Sequence, residues 1–164
     1  MTHTRTPFEL AAQGEIFDDT PVDVFQTDDQ GLRLLHVAAM HGQMLTVRCL
    51  VNRGADVCAR DWQGHTALHY AAFHGHQHVV RELLQLDINS MNEMDDEGNT
   101  ALIFACFQKR SHVVHELLRH GADLSIQNQD NETCYSISQW MGAKEVQSVL
   151  EKRIVELVEK LLPD

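Results

Sequence analysis

The chain has 164 residues, 43% of them hydrophobic and 23% charged, which is typical of one globular domain with its own core. Its formal net charge of −11 argues against a nucleic-acid partner, because phosphate contacts need clustered lysine and arginine. No apolar run approaches the ~20 residues that a membrane-spanning helix requires, so we expect no membrane segment.

The cysteines and the first residues predict the compartment. Cys49, Cys58, Cys106 and Cys134 show no CxxC spacing, which favours reduced thiols over a disulfide framework or a metal site. Residues 1–7 contain no apolar core of a signal peptide. We therefore expect a cytoplasmic or nuclear protein.

Four copies of one pattern run through the chain, opening at Gly31, Gly64, Gly98 and Asn131. A repeat of this length is typical of a stacked solenoid, in which one unit cannot bury its apolar face alone. A shorter copy of the same first helix precedes them at residues 6–14. The pattern predicts one all-α domain over residues 1–164, a solenoid of five helix-turn-helix repeats whose first and last members are atypical caps. The repeats fall at about 1–27, 28–60, 61–94, 95–127 and 128–162.

The copy at residues 61–94 shows most clearly how one unit folds. It opens with a turn that ends at Gly64, because glycine accepts a positive φ that other residues resist. Thr66 can cap the first helix, predicted over residues 67–74, by accepting from an orphan backbone N–H. The apolar spacing over residues 77–84 predicts an amphipathic second helix.

The other copies depart from this pattern where the first helix is capped, packed or ended. Arg33 stands where the capping threonine is expected. Ile103 and Lys109 replace the histidine and the glycine of the fourth copy, and Ser138 and Gln139 replace the paired alanines of the last. We therefore expect the last copy to serve as an end cap.

The chain finishes with an unusually long helical pattern. Apolar residues keep helical spacing from Lys144 to Leu162, for about five turns. Two interpretations remain open: a capping helix over the last repeat, which we favour, or a helix that dimerises or binds a partner. Because the sequence stops at Asp164, just after this helix, it is also consistent with a piece of a larger protein.

Thr66-Ala-Leu-His69, followed by Ala71-Ala72 and Gly75, resembles the most specific stretch of an ankyrin repeat. The resemblance implies that the first helices line a concave side and that the turns project as fingers. It implies that His69 bonds to the turn backbone and to Thr66. It also implies a protein that binds rather than catalyses, with a protein partner and no cofactor.

On that resemblance, twelve variable positions of the first helices face a partner, and Val37, Gln108 and Ile137 are among them. Five of the twelve are aromatic in a chain that is only 6% aromatic, and rigid rings anchor a partner at low entropic cost. The fingers are acidic, which favours a basic or neutral extended segment of ten to twelve residues along a groove of about 40 Å. The predicted partner-binding residues are Met40, His41, Trp62, Tyr70, Phe73, His74, Asp95, Asp96, Glu97, Phe104, Phe107, Trp140 and Met141.

Trp62 lies at a finger tip, and two interpretations of it remain open. Its ring either folds against the helix of Tyr70 or is offered to a ligand. Asn92 follows Leu84 at a spacing similar to that of ankyrin substrates of an oxygen-dependent asparaginyl hydroxylase. The resemblance therefore implies a candidate modification site at Asn92.

The histidines invite a metal interpretation, which we do not favour. Zinc needs three or four converging ligands, and Gly75 interrupts the helix between His74 and His76. No nucleophile elbow, phosphate-binding glycine loop or HExxH motif is present, so we predict a non-enzyme without a metal or cofactor. A metal- or pH-responsive module built on the histidines remains an alternative.

A closer resemblance rests on the order of the irregular segments, which are residues 10–15, residues 83–89 and residues 141–151 with the long helix after them. In this order they are similar to the small five-repeat ankyrin group that comprises the RFX-associated ankyrin and ankyrin-repeat family A adaptors. That resemblance implies an adaptor whose aromatic groove holds an extended peptide. We expect the protein to be a monomer. The alternative is a structural element that associates with itself through the C-terminal helix.

Overall fold

Helices supply the regular structure of this computed structural model, which describes residues 4–162. Residues 1–3 and 163–164 of the predicted domain lie outside the described residues. In that range the helices are α1 (Pro7–Gln13), α2 (Leu34–Met40), α3 (Met44–Asn52), α4 (Ala67–His74), α5 (Gln77–Leu86), α6 (Ala101–Phe107), α7 (Ser111–Arg119), α8 (Cys134–Trp140) and α9 (Lys144–Glu159). A short 3-10 helix, Ile88–Asn92, joins α5 to α6.

The helices form two layers. In the inner layer α1, α2, α4, α6 and α8 pack side by side in chain order, and in the outer layer α3, α5, α7 and α9 do the same. From α2 onward, each inner helix also packs against the outer helix that follows it. This arrangement confirms the predicted all-α solenoid.

The first repeat differs from the prediction because it contributes α1 alone. Residues 14–27 form turns, since they contain Pro21 and no run of apolar residues at helical spacing. The Arg53 guanidinium of α3 holds this segment by donating to the backbone carbonyls of Phe17, Thr20 and Val22. Hydrogen bonds from Arg53 therefore hold this segment against α3, where the later repeats have a second helix.

Small side chains let the inner helices approach one another. Ala38, Ala39, Ala71 and Ala72 are fully buried, as helix packing at about 8–10 Å requires. In the last repeat, buried Ser138 occupies an equivalent position and donates its hydroxyl to the carbonyl of Tyr135. This bond satisfies a polar group that would otherwise be costly to bury.

Each finger turn is built on one short polar side chain. Asp28, Asp61, Asp95 and Asn128 each accept two backbone N–H bonds, from the second and fourth residues after them, at 2.7 to 3.0 Å. Successive turns are joined by backbone bonds such as Asp96 N–H to the carbonyl of Gln63, at 3.0 Å. The fingers are therefore fixed individually and to one another.

The outer layer is crosslinked by arginine–glutamate pairs. Arg48 of α3 donates two hydrogen bonds to Glu82 of α5, and Arg81 of α5 donates two to Glu116 of α7. The bonds from Arg81 outweigh burial and lower the pKa of Glu116 to about 2. Glu116 is therefore ionised whenever the protein is folded at neutral pH, and each pair ties one repeat to the next.

The C-terminal helix covers the array with its first half only. Val146 and Leu150 are buried where α9 packs against α7 and α8. Further along, one set of apolar side chains remains largely exposed, namely Ile154, Val155, Leu157, Val158, Leu161 and Leu162. The capping interpretation therefore accounts for the first half of α9, and the second half has no cover among the described residues.

Candidate partner-binding groove

A buried histidine fastens each of two inner helices to its turns. The backbone N–H of Thr66 donates to Nδ1 of His69, and Nε2 of His69 donates to the carbonyl of Asn99 in the next turn, both at 3.0 Å. Burial lowers the pKa of His69 to about 4, so its ring is neutral at pH 7. His36 of α2 is held in a similar way, by donating to the carbonyl of Ala59. These bonds fix the register of helices and fingers.

Two adjoining cavities lie between α4, α6 and the neighbouring fingers, with volumes of about 470 and 220 Å³. Phe73 and Phe104 line both, so the cavities form one surface, which we call the groove. Its lining residues are Gln63, His65, His69, Tyr70, Phe73, His74, Glu97, Asn99, Phe104, Phe107, Gln108, Asn128, Gln129, Asp130 and Met141.

The rings of the groove are packed against one another. The centroids of Phe73 and Phe104 are 5.9 Å apart at 75°, and His65 meets Phe104 at 5.5 Å and 71°. His65 also meets Tyr70 edge to face at 5.5 Å. Edge-to-face contacts of this kind stabilise a fixed arrangement, so the apolar surface is formed before any ligand arrives.

Seven of the thirteen predicted partner-binding residues line the groove: Tyr70, Phe73, His74, Glu97, Phe104, Phe107 and Met141. Their side chains are partly buried or exposed, as a binding surface needs. Val37 and Ile137, which the repeat pattern also placed on this face, lie instead in the core. The helix face presented to a partner is therefore narrower at α2 and at α8 than the sequence indicates.

Asp95 does not face solvent, contrary to the sequence-based expectation. Its side chain is only 2% exposed, and it accepts from the backbone of Glu97 and Asn99 and from Nε2 of His65 at 3.1 Å. Asp95 therefore shapes its finger and is not open to direct contact with a partner. This role explains why a short polar side chain, Asp or Asn, recurs at the base of each finger.

Asp61 has the same structural role one repeat earlier. Burial raises the pKa of its carboxyl, but hydrogen bonds from the Tyr70 hydroxyl, at 2.6 Å, and from the His65 backbone outweigh burial and lower it. Burial and the same hydrogen bond raise the pKa of Tyr70. A tyrosine of the groove is thus held by the finger beside it.

The remaining predicted residues lie outside the groove. Trp62 is 72% exposed and rests on Gly31 of the preceding finger, where an added Cβ would come within 2.5 Å of its ring. Trp140 is 75% exposed at the end of α8. Met40 and His41 lie at the end of α2, where the Met40 carbonyl accepts from His76. Asp96 lies 3.4 Å from Arg60.

Charge on the fingers is unevenly paired. Arg60 lies 3.5 Å from Glu93 and 3.4 Å from Asp96, so it partly neutralises both carboxylates. Within residues 4–162, neither Glu97 nor Asp130 forms a salt bridge with a lysine or an arginine. These two are the acidic side chains that line the groove.

Sequence reasoning missed the finger residues that line the groove. Asn99 and Asn128 are buried there and bonded side chain to side chain at 3.1 Å, and Gln129 lies beside them. Gln63 and His65 line the smaller cavity. One signal could have indicated them: they recur with the period of the repeat, just inside each finger turn and next to the first helix.

Several histidines are bonded within the fold. His76 donates to the carbonyl of Met40, His112 to that of Gly75 and His69 to that of Asn99. No group of three or more histidine, cysteine or acidic side chains suited to a metal ion occurs among the described residues. Asn92 is exposed at the end of the 3-10 helix, and its Oδ1 accepts from the backbone N–H of Asp123 at 3.1 Å.

The fold and the groove define a class: a two-layered repeat array with a ready-made surface of aromatic rings and finger side chains. Sequence comparison agrees, because the family described as ankyrin repeats (3 copies) matches residues 8–92 and again residues 35–128. The chain therefore belongs to the ankyrin-repeat family, whose members generally mediate protein–protein interaction. None of the curated proteins matches it, so the closer resemblance to the RFX-associated ankyrin group lacks the support of a homologue. Within residues 4–162 there is no helix long and apolar enough to cross a membrane.

Proposed function

We propose that this protein is a non-enzymatic adaptor that binds an extended peptide or loop of a protein partner along the groove. The observation that carries the proposal is the pair of cavities that share Phe73 and Phe104. Together with Phe107 they supply apolar anchors of the kind that dominate interface energies. We propose that the protein works as a monomer, without a cofactor, in the cytoplasm or the nucleus.

Selection of ligands tests this proposal without a known partner. Random dodecapeptides displayed on phage are selected on the wild-type protein, and the enriched peptides are measured by fluorescence anisotropy. Phe73→Ala combined with Phe107→Ala should weaken binding more than tenfold, because both rings line the larger cavity. Unchanged affinity in a folded double variant would contradict the proposal.

The matched control uses two phenylalanines away from the groove. Phe17 and Phe25 are exposed in the first repeat and line neither cavity of the groove. Phe17→Ala with Phe25→Ala also removes two phenylalanine rings, and it should leave the affinity for the peptide within twofold of the wild type. Circular dichroism melting shows whether each double variant is folded.

A second candidate function is self-association through the distal half of α9. The exposed apolar set from Ile154 to Leu162 favours it, as does local charge. Residues 144–162 carry four basic and four acidic side chains, so two copies would meet there without the repulsion expected of a chain at −11. Sedimentation equilibrium tests it: a monomer at every concentration contradicts self-association.

The hydroxylation of Asn92 stays a prediction. An enzyme acting there would have to displace the bond that Asn92 accepts from Asp123. Mass spectrometry of the protein purified from its native cell should show the gain of one oxygen on the peptide that contains Asn92. An unmodified peptide would remove this candidate.

A further inference from the structure

The larger cavity of the groove combines rings with acidic side chains. Phe73 comes from α4, and Phe104 and Phe107 come from α6. Glu97 and Asp130 come from two successive fingers and line the same cavity. Three aromatic rings and two carboxylates therefore surround one space of about 470 Å³.

The carboxylates are the charged groups of this cavity, and they are left for a ligand. Asn99 donates to Asp95 and Glu97 and accepts from Asn128, and the Oδ1 of Asn128 accepts two backbone N–H bonds of its own finger. The amides of Asn99 and Asn128 are thus engaged within the protein. Glu97 accepts one bond at 3.4 Å from Asn99, and neither it nor Asp130 is salt-bridged to a lysine or arginine within residues 4–162.

This combination suits a cation with a flat, weakly hydrated face. Aromatic rings attract a cation through their quadrupole, by about 0.5–2 kcal/mol according to exposure. Guanidinium stacks on rings and also pairs with carboxylates through two parallel N–H bonds, whereas ammonium is a compact, strongly hydrated charge. The volume lies at the lower end of the ~300–1,000 Å³ typical of ligand pockets, which fits one long side chain and its adjoining backbone.

Resting on the proposed function, we propose that the larger cavity binds an arginine side chain of the extended peptide. The guanidinium packs against the phenylalanine rings and pairs with Glu97 and Asp130. The apolar stem of the arginine lies against Phe107, while the neighbouring peptide residues continue along the groove toward Tyr70. The site thereby selects peptides by one fixed arginine rather than by overall basic charge.

The experiment uses the dodecapeptides selected on the wild-type protein. We expect arginine to be enriched at one position, and replacing it with citrulline, which keeps the shape and removes the charge, should weaken binding at least tenfold, or about 1.4 kcal/mol. Replacement by lysine should weaken binding by a smaller factor. With Glu97→Gln and Asp130→Asn together, the loss caused by citrulline should shrink to less than threefold.

The control variant removes two charges elsewhere. Asp29→Asn with Glu159→Gln changes the net charge equally, at exposed positions outside the groove, and should keep the tenfold effect of citrulline. If this control loses the effect as well, the preference is only long-range attraction and the arginine site is overturned.

Failure of the inference differs from failure of the proposed function. Peptides without a fixed arginine, or citrulline peptides that bind the wild type within threefold, overturn the arginine site. If binding of those peptides still depends on Phe73 and Phe107, the groove remains a peptide site of apolar preference. If no peptide is enriched, both proposals fail.

Discussion

The third and fourth repeats have the same backbone plan but are fastened by different chemistry. In the third, His69 bonds both its own turn and the next finger, and Gly75 ends α4. In the fourth, the buried Ile103 replaces the histidine, and Lys109 ends α6 with a φ of 55°. The third repeat is therefore held by a titratable polar side chain, and the fourth by apolar burial with a strained end.

The difference shows what the repeat pattern preserves. Both repeats place a phenylalanine in the groove at the same point of the first helix, Phe73 and Phe107, although the bonds beneath them differ. The link that His69 makes to the next finger is replaced, between Asn99 and Asn128, by a bond of 3.1 Å between side chains. Several local solutions thus support one surface.

The largest effect on stability should follow loss of the histidine of the third repeat. His69→Ala leaves the Thr66 N–H and the Asn99 carbonyl without a partner and opens a cavity, which together should cost about 3 kcal/mol. Urea denaturation measures the free energy of unfolding. His115→Ala, at an exposed histidine of α7, should cost less than about 0.5 kcal/mol. Equal costs would remove the distinction between the two histidines.

The polar fastening should also make stability depend on pH. With a pKa of about 4 when folded and an ordinary value of 6.5 when unfolded, His69 takes up a proton more readily in the unfolded chain. Stability therefore falls as pH drops from 6.5 toward 4, by about 2 kcal/mol between pH 7 and 5 from His69. His36, whose pKa burial also lowers, adds to the effect with the same sign.

His69→Gln isolates this contribution. The variant should be less stable at pH 7 but should lose about 2 kcal/mol less than the wild type between pH 7 and 5. Glu116, whose pKa is about 2, loses its stabilising charge only as pH falls below 4.5, so it does not interfere in this window. An identical pH dependence of both proteins would contradict the assignment.

The smallest effect should come from relieving the strain in the fourth repeat. Lys109→Gly removes the cost of a side chain in the left-handed region and should raise the free energy of unfolding by about 1 kcal/mol. Lys109→Ala keeps that cost and should bring no gain. Asn131, with a φ of 61°, is a residue that tolerates this region, so Asn131→Gly should change little. A lower free energy of unfolding for Lys109→Gly would contradict the assignment of strain to Lys109.

Most of the fold could be predicted from the sequence because it repeats. The period located every turn, and α4 spans residues 67–74 as predicted, while α5 continues two residues further, to Leu86. The missing second helix of the first repeat was visible in Pro21 and the absence of apolar spacing, but the repeat pattern outweighed that local signal. The length of α9 that packs against the last repeats could not be predicted, because the spacing of apolar residues does not show which of them find a partner.

The groove was predicted in part. The ring positions followed from the resemblance to an ankyrin repeat, so Phe73, Phe104 and Phe107 were found, whereas the finger side chains depend on the register between neighbouring repeats. Asp95 was taken for a solvent charge, although Asn128 stands at the same position of the next finger. An amide there accepts the same backbone bonds without charge, which indicates a structural role.

The most direct test of the groove is to locate a bound peptide by NMR. The nitrogen-15-labelled protein is titrated with a dodecapeptide selected on the wild type, and amide shifts are followed along the chain. The largest changes are predicted in α4, α6 and the fingers at Glu97 and Asp130. Changes concentrated in α9 or in the outer helices α3, α5 and α7 would contradict a binding surface on the inner layer.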